Sequence, residues 1–190
     1  MLGDPDEEFA STMGIAISGS DIHVIGYEAK GDSVLAKYWK NGNLIKLPTD
    51  MPKTMLTSIG ILGSDVYIGG YIWVNNDPQN AFYWKNGVRI SASQNFGEIT
   101  KIIVSGSNVF FTGIASDNAT YWLNEEPIRV EGLHSTLDIA SIKDDLFLVA
   151  LGLPLSSQSI YLVTKKGEIV PPFDGTDPNM KTLGILVKEK

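Results

Sequence analysis

The sequence predicts an all-β protein built from four similar antiparallel sheets, and three observations support this prediction. A short aromatic run, Ala36-Lys37-Tyr38-Trp39-Lys40-Asn41-Gly42, returns as Ala81–Gly87 and, in weaker forms, at Ala119–Asn124 and Ser159–Leu162. A return about every 40 residues is typical of proteins in which one structural unit is repeated. Each run lies among short apolar segments, rich in β-branched residues and separated by Gly, Asn and Asp, as in strands joined by tight turns.

The first repeat contains four predicted strands, which are Met13–Ile17, Ile22–Tyr27, Val34–Lys40 and Leu44–Leu47. The turn Ser18–Asp21 separates the first two. Asn41-Gly42 joins the last two in a two-residue hairpin, because both residues tolerate a positive φ. Pro48 ends the fourth strand, since proline has no amide hydrogen to give to a sheet ladder.

The other three repeats have the same parts. Their predicted strands are Ser58–Leu62, Val66–Tyr71, Ala81–Lys85 and Val88–Ile90; Ile102–Val104, Val109–Gly113, Ala119–Leu123 and Ile128–Val130; and Ile139–Ile142, Leu146–Ala150, Ile160–Thr164 and Glu168–Val170. A turn residue precedes each second strand, and the set Asp21, Asp65, Asn108 and Asp145 is spaced by 44, 43 and 37 residues. We expect a flexible acidic lead-in over 1–11 and one repeat domain over 12–190, with units at about 12–50, 57–93, 99–132 and 137–172 and an extra first strand at 182–188.

The third strand of each repeat predicts how the sheets are arranged. Tyr38 and Trp39 are adjacent, so they point to opposite faces of the sheet, and both positions are large and apolar across the repeats. A sheet that is apolar on both faces must lie between two neighbours, and radial stacking of blades provides this. A small residue in every second strand (Gly26, Gly70, Gly113 and Ala150) fits a position where an adjacent blade or backbone comes close.

On these grounds the repeats resemble β-propeller blades, and the Tyr-Trp-Lys-Asn-Gly hairpin is similar to that of bacterial propeller-type repeat proteins of poorly defined function. The resemblance covers about residues 12–187. It implies a propeller, or part of one, with four complete four-stranded blades and one extra first strand. The chain lacks a Trp-Asp dipeptide of the WD40 kind and the paired glycines of kelch repeats. An open stack of sheets or a β-sandwich could use the same strands.

The extra strand at 182–188 leaves two interpretations of how the array ends. The chain is a fragment of a larger propeller, or the strand closes the ring or meets another copy of the chain. An unpaired strand favours assembly with another edge. We therefore expect either self-association through this strand or a closure of unusual form.

Composition excludes several classes of partner and site. The net charge is −7, which argues against nucleic acid or an anionic membrane surface, since both need a basic face. The chain has no cysteine, which excludes disulfides, thiolate metal sites and a cysteine nucleophile. No apolar run approaches the roughly 20 residues of a membrane span. The compartment stays open, and the short acidic start suggests an extracellular, periplasmic or surface-anchored protein whose leader has been removed.

The recurring tryptophans have two interpretations. Trp39, Trp84 and Trp122 fit the core between blades, because every blade needs the same large apolar wedge. They would instead be platforms for sugar rings if their indoles lay at the loop edge. Trp73 and Asp77, in the longer loop Trp73–Asn80, complete the candidate ligand-binding residues.

The turn acids and the two histidines are weaker candidates. Asp21, Asp65, Asn108 and Asp145 fit side-chain caps of their own turns, and the alternative is a ring of carboxylates able to hold a cation. His23 and His134 lie in different repeats without a carboxylate pair at ligand spacing. We expect no metal and no cofactor.

The sequence therefore favours a non-catalytic binding or scaffold module with a protein or glycan partner. The first alternative is a lyase or glycosidase whose site is formed by the loops Trp73–Asn80, Gly152–Ser159 and Phe173–Asn179, and it needs two carboxylates about 5–10 Å apart. The second alternative is a structural piece of a larger surface protein.

Overall fold

The protein consists of strands and tight turns. The computed structural model describes residues 9–30, 33–48, 53–74, 77–93, 96–142, 145–152, 160–164 and 169–170. Within this part of the chain no helix occurs. The described residues also contain no helix that is long and apolar enough to cross a membrane. The loops predicted at Gly152–Ser159 and Phe173–Asn179 and the extra strand at 182–188 lie mostly or wholly outside the described residues.

Sixteen strands form four sheets, each with its four strands in sequential order and antiparallel. The first sheet contains β1 (Phe9–Ser18), β2 (Asp21–Lys30), β3 (Ser33–Lys40) and β4 (Asn43–Ile45), and the second contains β5 (Thr54–Leu62), β6 (Asp65–Val74), β7 (Asp77–Lys85) and β8 (Val88–Ser91). The third contains β9 (Gly97–Ser105), β10 (Asn108–Ala115), β11 (Asn118–Leu123) and β12 (Glu126–Arg129), and the fourth contains β13 (Leu133–Ile142), β14 (Asp145–Gly152), β15 (Ile160–Thr164) and β16 (Ile169–Val170). The prediction of an all-β protein with four antiparallel four-stranded sheets is confirmed. The first strand begins at Phe9, inside the segment predicted as lead-in, because its start pairs with the far end of β2.

An asparagine joins the two turns at one end of each of the first three sheets. Asn41 has a φ of 52°, and its side-chain oxygen accepts a hydrogen bond from the amide of Ile22 at 2.8 Å. Its side-chain nitrogen donates to Asp21 at 2.9 Å. The same pair of bonds recurs at Asn86 in the second sheet and at Asn124 in the third. We call this arrangement the asparagine clamp.

Each first strand contains one extra residue in its pairing with the second strand. The register shifts pass over Met13, Thr57, Thr100 and Leu137, which occupy equivalent positions in the four repeats. Such a bulge increases the local twist of a sheet and redirects side chains. The fourth sheet has a second shift between Leu133 and Ser135.

The sheets stack in chain order, and the first strand of each new sheet makes the contact. β5 packs against β1, β2 and β3; β9 against β5, β6 and β7; and β13 against β9, β10 and β11. Among the described residues, no extensive contact joins the first sheet to the fourth. The stack is therefore directional, with every sheet covering one face of the sheet before it.

Adjacent aromatic residues of a third strand lie in different apolar clusters. Trp84 belongs to the cluster between the first and second sheets, whereas Tyr83 belongs to the cluster between the second and third. Trp122 shares that second cluster, and Tyr121 packs against the cluster between the third and fourth sheets. The prediction that both faces of an inner sheet are buried is confirmed for the second and third sheets.

Polar side chains link consecutive first strands. The hydroxyl of Thr57 donates to the carbonyl of Ile99, and the hydroxyl of Thr100 donates to the carbonyl of Thr136 at 2.9 Å. Two ion pairs also cross between sheets, namely Lys85–Glu125 at 2.7 Å and Lys101–Asp138 at 2.9 Å. Because these bonds join part-buried polar groups at defined positions, they help to fix the register of one sheet on the next.

Candidate functional site

The structure separates one tryptophan from the other three. Trp39, Trp84 and Trp122 are only 6%, 1% and 3% exposed, and Trp84 packs edge-on against Phe82 with ring centroids 4.6 Å apart. Trp73 is 37% exposed. A ring that stacks on a sugar must have an open face, so Trp73 is the one of these four tryptophans that remains a candidate for sugar binding.

Trp73 lies at the end of β6 beside a second aromatic ring. Tyr71 is two residues earlier and therefore on the same face of the strand. The two ring centroids are 5.8 Å apart and the rings are inclined by 45°. The amide of Trp73 donates to the carbonyl of Lys53 at 2.9 Å, and Trp73 pairs with Pro78 of β7. The aromatic pair is thus held on paired strands, near the end of β6 at Val74.

Glu98 of the third sheet lies near this pair. It is half-buried in β9, and burial raises the pKa of its carboxyl group. Burial also raises the pKa of Tyr71, and the charge of Glu98 raises it further. A carboxyl group with increased affinity for its proton therefore lies within electrostatic range of Tyr71, where the second sheet packs against the third. We call Tyr71, Trp73 and Glu98 the aromatic–acid site.

Sequence reasoning missed Glu98 and Tyr71 as members of a site. Glu98 follows Gly97 in an unremarkable strand sequence, and no motif marks it. Its effect on the pKa of Tyr71 arises because β9 packs against β6. The one signal available from the sequence was the long segment Trp73–Asn80, which was predicted as a loop. The structure instead places most of this segment in the paired ends of β6 and β7.

Asp77 lies close to Trp73 along the chain but on the other face. It pairs with Val74 across the β6–β7 connection, one step from the pairing of Trp73 with Pro78. Neighbouring pairs in a ladder point to opposite faces, and Asp77 is exposed. Asp77 is therefore outside the aromatic–acid site and serves as a control position next to it.

The turn acids take part in the asparagine clamps. Asp21 accepts a bond from Asn41 and pairs with Lys40 at 2.7 Å, and these hydrogen bonds, from Lys40 first, lower the pKa of its carboxyl group. Asp65 and Asn108 also accept clamp bonds, at 2.7 and 2.8 Å. The side chain of Asp145 lies outside the described part of the chain. No three histidine, aspartate or glutamate side chains of the described residues are grouped to hold a metal ion.

His23 forms a buried polar contact with Tyr38, a member of the apolar cluster between the first and second sheets. It is 3% exposed, and its Nδ1 lies 2.7 Å from the hydroxyl of Tyr38. The two rings are stacked with centroids 5.9 Å apart. Burial, followed by the charge of Lys40, lowers the pKa of His23, while Asp21 opposes this. The neutral imidazole is therefore the form that folding favours.

We expect the stability of the protein to fall as the pH decreases below about 6.5, in part because of His23. The unfolded chain binds a proton at this residue near pH 6.5, whereas the folded protein binds it only at lower pH. Stability is thus fully present above 6.5 and is lost below it, by up to about 1.4 kcal/mol per pH unit. Urea unfolding at pH 7.5 and 5.5 measures the effect.

His23→Gln supplies the comparison for this expectation. The variant loses stability at both pH values, but its loss between pH 7.5 and 5.5 is expected to be smaller than that of the wild type. Asp21 and Glu98 titrate in both proteins, so their contributions cancel in the difference. Equal pH dependence in the two proteins would show that His23 does not bind its proton differently on folding.

The sequence was compared with protein-family models and with curated proteins, and neither comparison found a match.

Proposed function

We propose that the protein is a non-catalytic binding module of the propeller type, with a glycan as its partner. The directional stacking of four sheets supports the propeller arrangement. Each first strand is in contact with the first strand of the sheet before it, and radially stacked blades have their first strands adjacent around a common axis. Successive sheets in such an array leave strand connections at the ends available for a ligand.

The chemistry of the aromatic–acid site is the reason for proposing a glycan as the ligand. A sugar ring has an apolar face of C–H groups and a rim of hydroxyl groups. The exposed indole of Trp73 offers a flat apolar surface with a polar N–H. Glu98 offers hydrogen-bonding oxygens from a partly desolvated position, where such bonds are stronger than in water. Stacking on one side and hydrogen bonding at the rim together select carbohydrate over a purely apolar ligand.

Binding of a glycan should depend on Trp73 and be insensitive to Asp77. An array of glycans identifies the ligand, and isothermal titration calorimetry then measures its dissociation constant. We expect Trp73→Ala to weaken binding at least about tenfold, since about 1.4 kcal/mol of stacking is lost. Asp77→Ala is the matched control, because Asp77 lies at the same end of the strand but on the opposite face, and it should change binding less than about twofold.

Two results would contradict the proposal. One is a glycan array on which the protein binds nothing while remaining folded. The other is a ligand that binds Trp73→Ala as well as it binds the wild type, which would place the contact elsewhere on the protein.

Glu98 also favours a second candidate function, that of a glycoside-active enzyme. A carboxyl group with a raised pKa is the type of group that donates a proton to a leaving oxygen. Burial is the cause of the raised pKa of Glu98. Glycoside hydrolysis also needs a second carboxylate beside the first. Incubation of the glycans identified on the array with wild type and Glu98→Gln separates the functions. Cleavage by the wild type that is lost in the variant would establish the enzyme in place of the binding module.

A further inference from the structure

One face of the first sheet carries exposed apolar side chains around Trp39, which is itself only 6% exposed, whereas the equivalent faces of the other three sheets are covered by the sheet before them. This face contains Trp39, and we call it the Trp39 face. The side chains on it that are at least 46% exposed are Ile15 at 65%, Ile17 at 68%, Ile22 at 46%, Leu35 at 47% and Leu44 at 55%. Four of them lie together, because Ile15, Val24, Trp39 and Leu44 form one row of strand partners and Ile17 and Ile22 form the next row on the same side. Leu35 lies on the same face towards the other end of the strands, where it pairs with Glu28.

The equivalent positions in the later sheets show what kind of surface fits this face. Counted from the turn residue before each second strand, Ile15 corresponds to Ile59, Ile102 and Ile139. These three are 7%, 4% and 2% exposed, and each lies in a cluster between its own sheet and the preceding one. In this chain a face of this composition is therefore one that packs against another sheet.

The charge distribution also favours a copy of the same chain. The net charge of the protein is −7, so two copies repel each other over most of their surfaces. Among the described side chains of the Trp39 face, the charged groups are Lys37 and Glu28, which are 19% and 5% exposed and pair at 2.6 Å, so they neutralise each other. Two copies can approach through this face with less repulsion than elsewhere.

The Lys37–Glu28 pair also distinguishes this face from its equivalents. Ile72 and Phe82 hold the corresponding positions of the second sheet and are 5% and 1% exposed. The first sheet is thus apolar at its clamp end and polar towards the other end.

We propose that the Trp39 face is an interface through which two copies of this chain associate, first sheet on first sheet, about a twofold axis. The five exposed side chains amount to on the order of 500 Å² of apolar surface, at the upper range for a patch on a monomer. Packed face to face, two copies bury about 1,000 Å² in total, which reaches the lower limit for a specific interface. A twofold axis uses the same surface twice and closes the assembly at two copies.

Sedimentation velocity of the full chain over a range of concentrations tests the proposal. The wild type is expected to be a dimer at micromolar concentration. Ile17→Lys places a charge in the contact and should raise the dimer dissociation constant at least about 100-fold. Val88→Lys is the matched control, since Val88 is also apolar and 65% exposed but lies on β8 of the second sheet, and it should leave the dimer intact. Circular dichroism and urea unfolding verify that both variants are folded.

Three outcomes would overturn the proposal. A wild type that sediments as a monomer at all concentrations would show that the face is left open or is covered by residues of its own chain. A dimer unaffected by Ile17→Lys would place the interface elsewhere. Equal dissociation in Val88→Lys would show a general effect of added charge. None of these outcomes bears on glycan binding at Trp73, which is measured separately.

Discussion

Replacement of Gly113 by alanine is expected to destabilise the protein by at least about 3 kcal/mol. A Cβ atom at this position would collide with the carbonyl oxygen of Glu98 and lie 2.9 Å from its carbonyl carbon. Both atoms belong to the backbone of the neighbouring strand, which cannot rotate away as a side chain can. β9 and β10 must therefore move apart beside the bulge, and ladder hydrogen bonds are lost in a buried part of the third sheet.

Urea unfolding of Gly113→Ala and Gly106→Ala separates this collision from the general cost of replacing a glycine. Gly106 has a φ of +58° and no heavy atom within 4 Å of an added Cβ, so its replacement should cost only the strain of a left-handed conformation, about 1–2 kcal/mol. We expect the unfolding midpoint of Gly113→Ala to be clearly the lower of the two. A Gly113 variant as stable as the wild type would show that the two strands separate without cost.

The position of Gly113 is occupied by glycine in the first three sheets and by alanine in the fourth, and the strand pairing of the fourth sheet explains this difference. Gly26 and Gly70 meet the same obstacle as Gly113, in the carbonyl oxygens of Ser11 and Met55. Ala150 stands at the equivalent place in the fourth sheet and is fully buried. Its partner strand is the one with a second register shift, between Leu133 and Ser135. A second bulge redirects the backbone, and we infer that it makes the space that the methyl group of Ala150 occupies.

The sequence was sufficient to predict the strands and their turns because local chemistry determines them. Asn41 and Gly42 both have a positive φ, as a two-residue hairpin requires. The small residues of the second strands were expected to mark a close approach of backbone or blade, and for Gly26, Gly70 and Gly113 the approaching group is the backbone of the first strand of the same sheet. That prediction is confirmed.

The bulges could not be predicted, because their residues share no chemistry. Met13, Thr57, Thr100 and Leu137 occupy one position with three residue types, so the feature depends on the strand pairing and not on a side chain. The turn acids were expected to cap their own turns. Asp21 and Asp65 instead accept bonds from asparagines 20 and 21 residues away, a pairing that becomes visible only when the two turns are placed side by side.

The site was the least predictable part, because it joins residues of two sheets. Trp73 was a candidate by virtue of its irregular loop, but so were three buried tryptophans of the same type. Burial separates them, and burial depends on which strand each one occupies. Glu98 gained its raised pKa only through the packing of one sheet on another, which sequence spacing does not encode.

Replacement of Trp84 by alanine is expected to cost about 4 kcal/mol of the free energy of unfolding. Trp84 is 1% exposed and joins Phe82, Ile59 and Ile68 in the cluster between the first and second sheets. Its removal leaves a cavity that this cluster cannot fill, because its other members are fixed on paired strands. The same substitution at Trp73, which is 37% exposed, should cost less than about 1 kcal/mol.

Trp84→Phe tests whether the large expected loss is due to packing. The indole Nε1 of Trp84 is buried without a hydrogen-bond partner among the described residues, so its polar group does not contribute a bond that phenylalanine would lack. We expect the phenylalanine variant to recover more than half of the stability lost in Trp84→Ala, as measured by urea unfolding. If phenylalanine is no better than alanine, an interaction of the N–H group must hold these two sheets together. If Trp84→Ala and Trp73→Ala are equally mild, burial between the sheets is not what makes this repeat position aromatic.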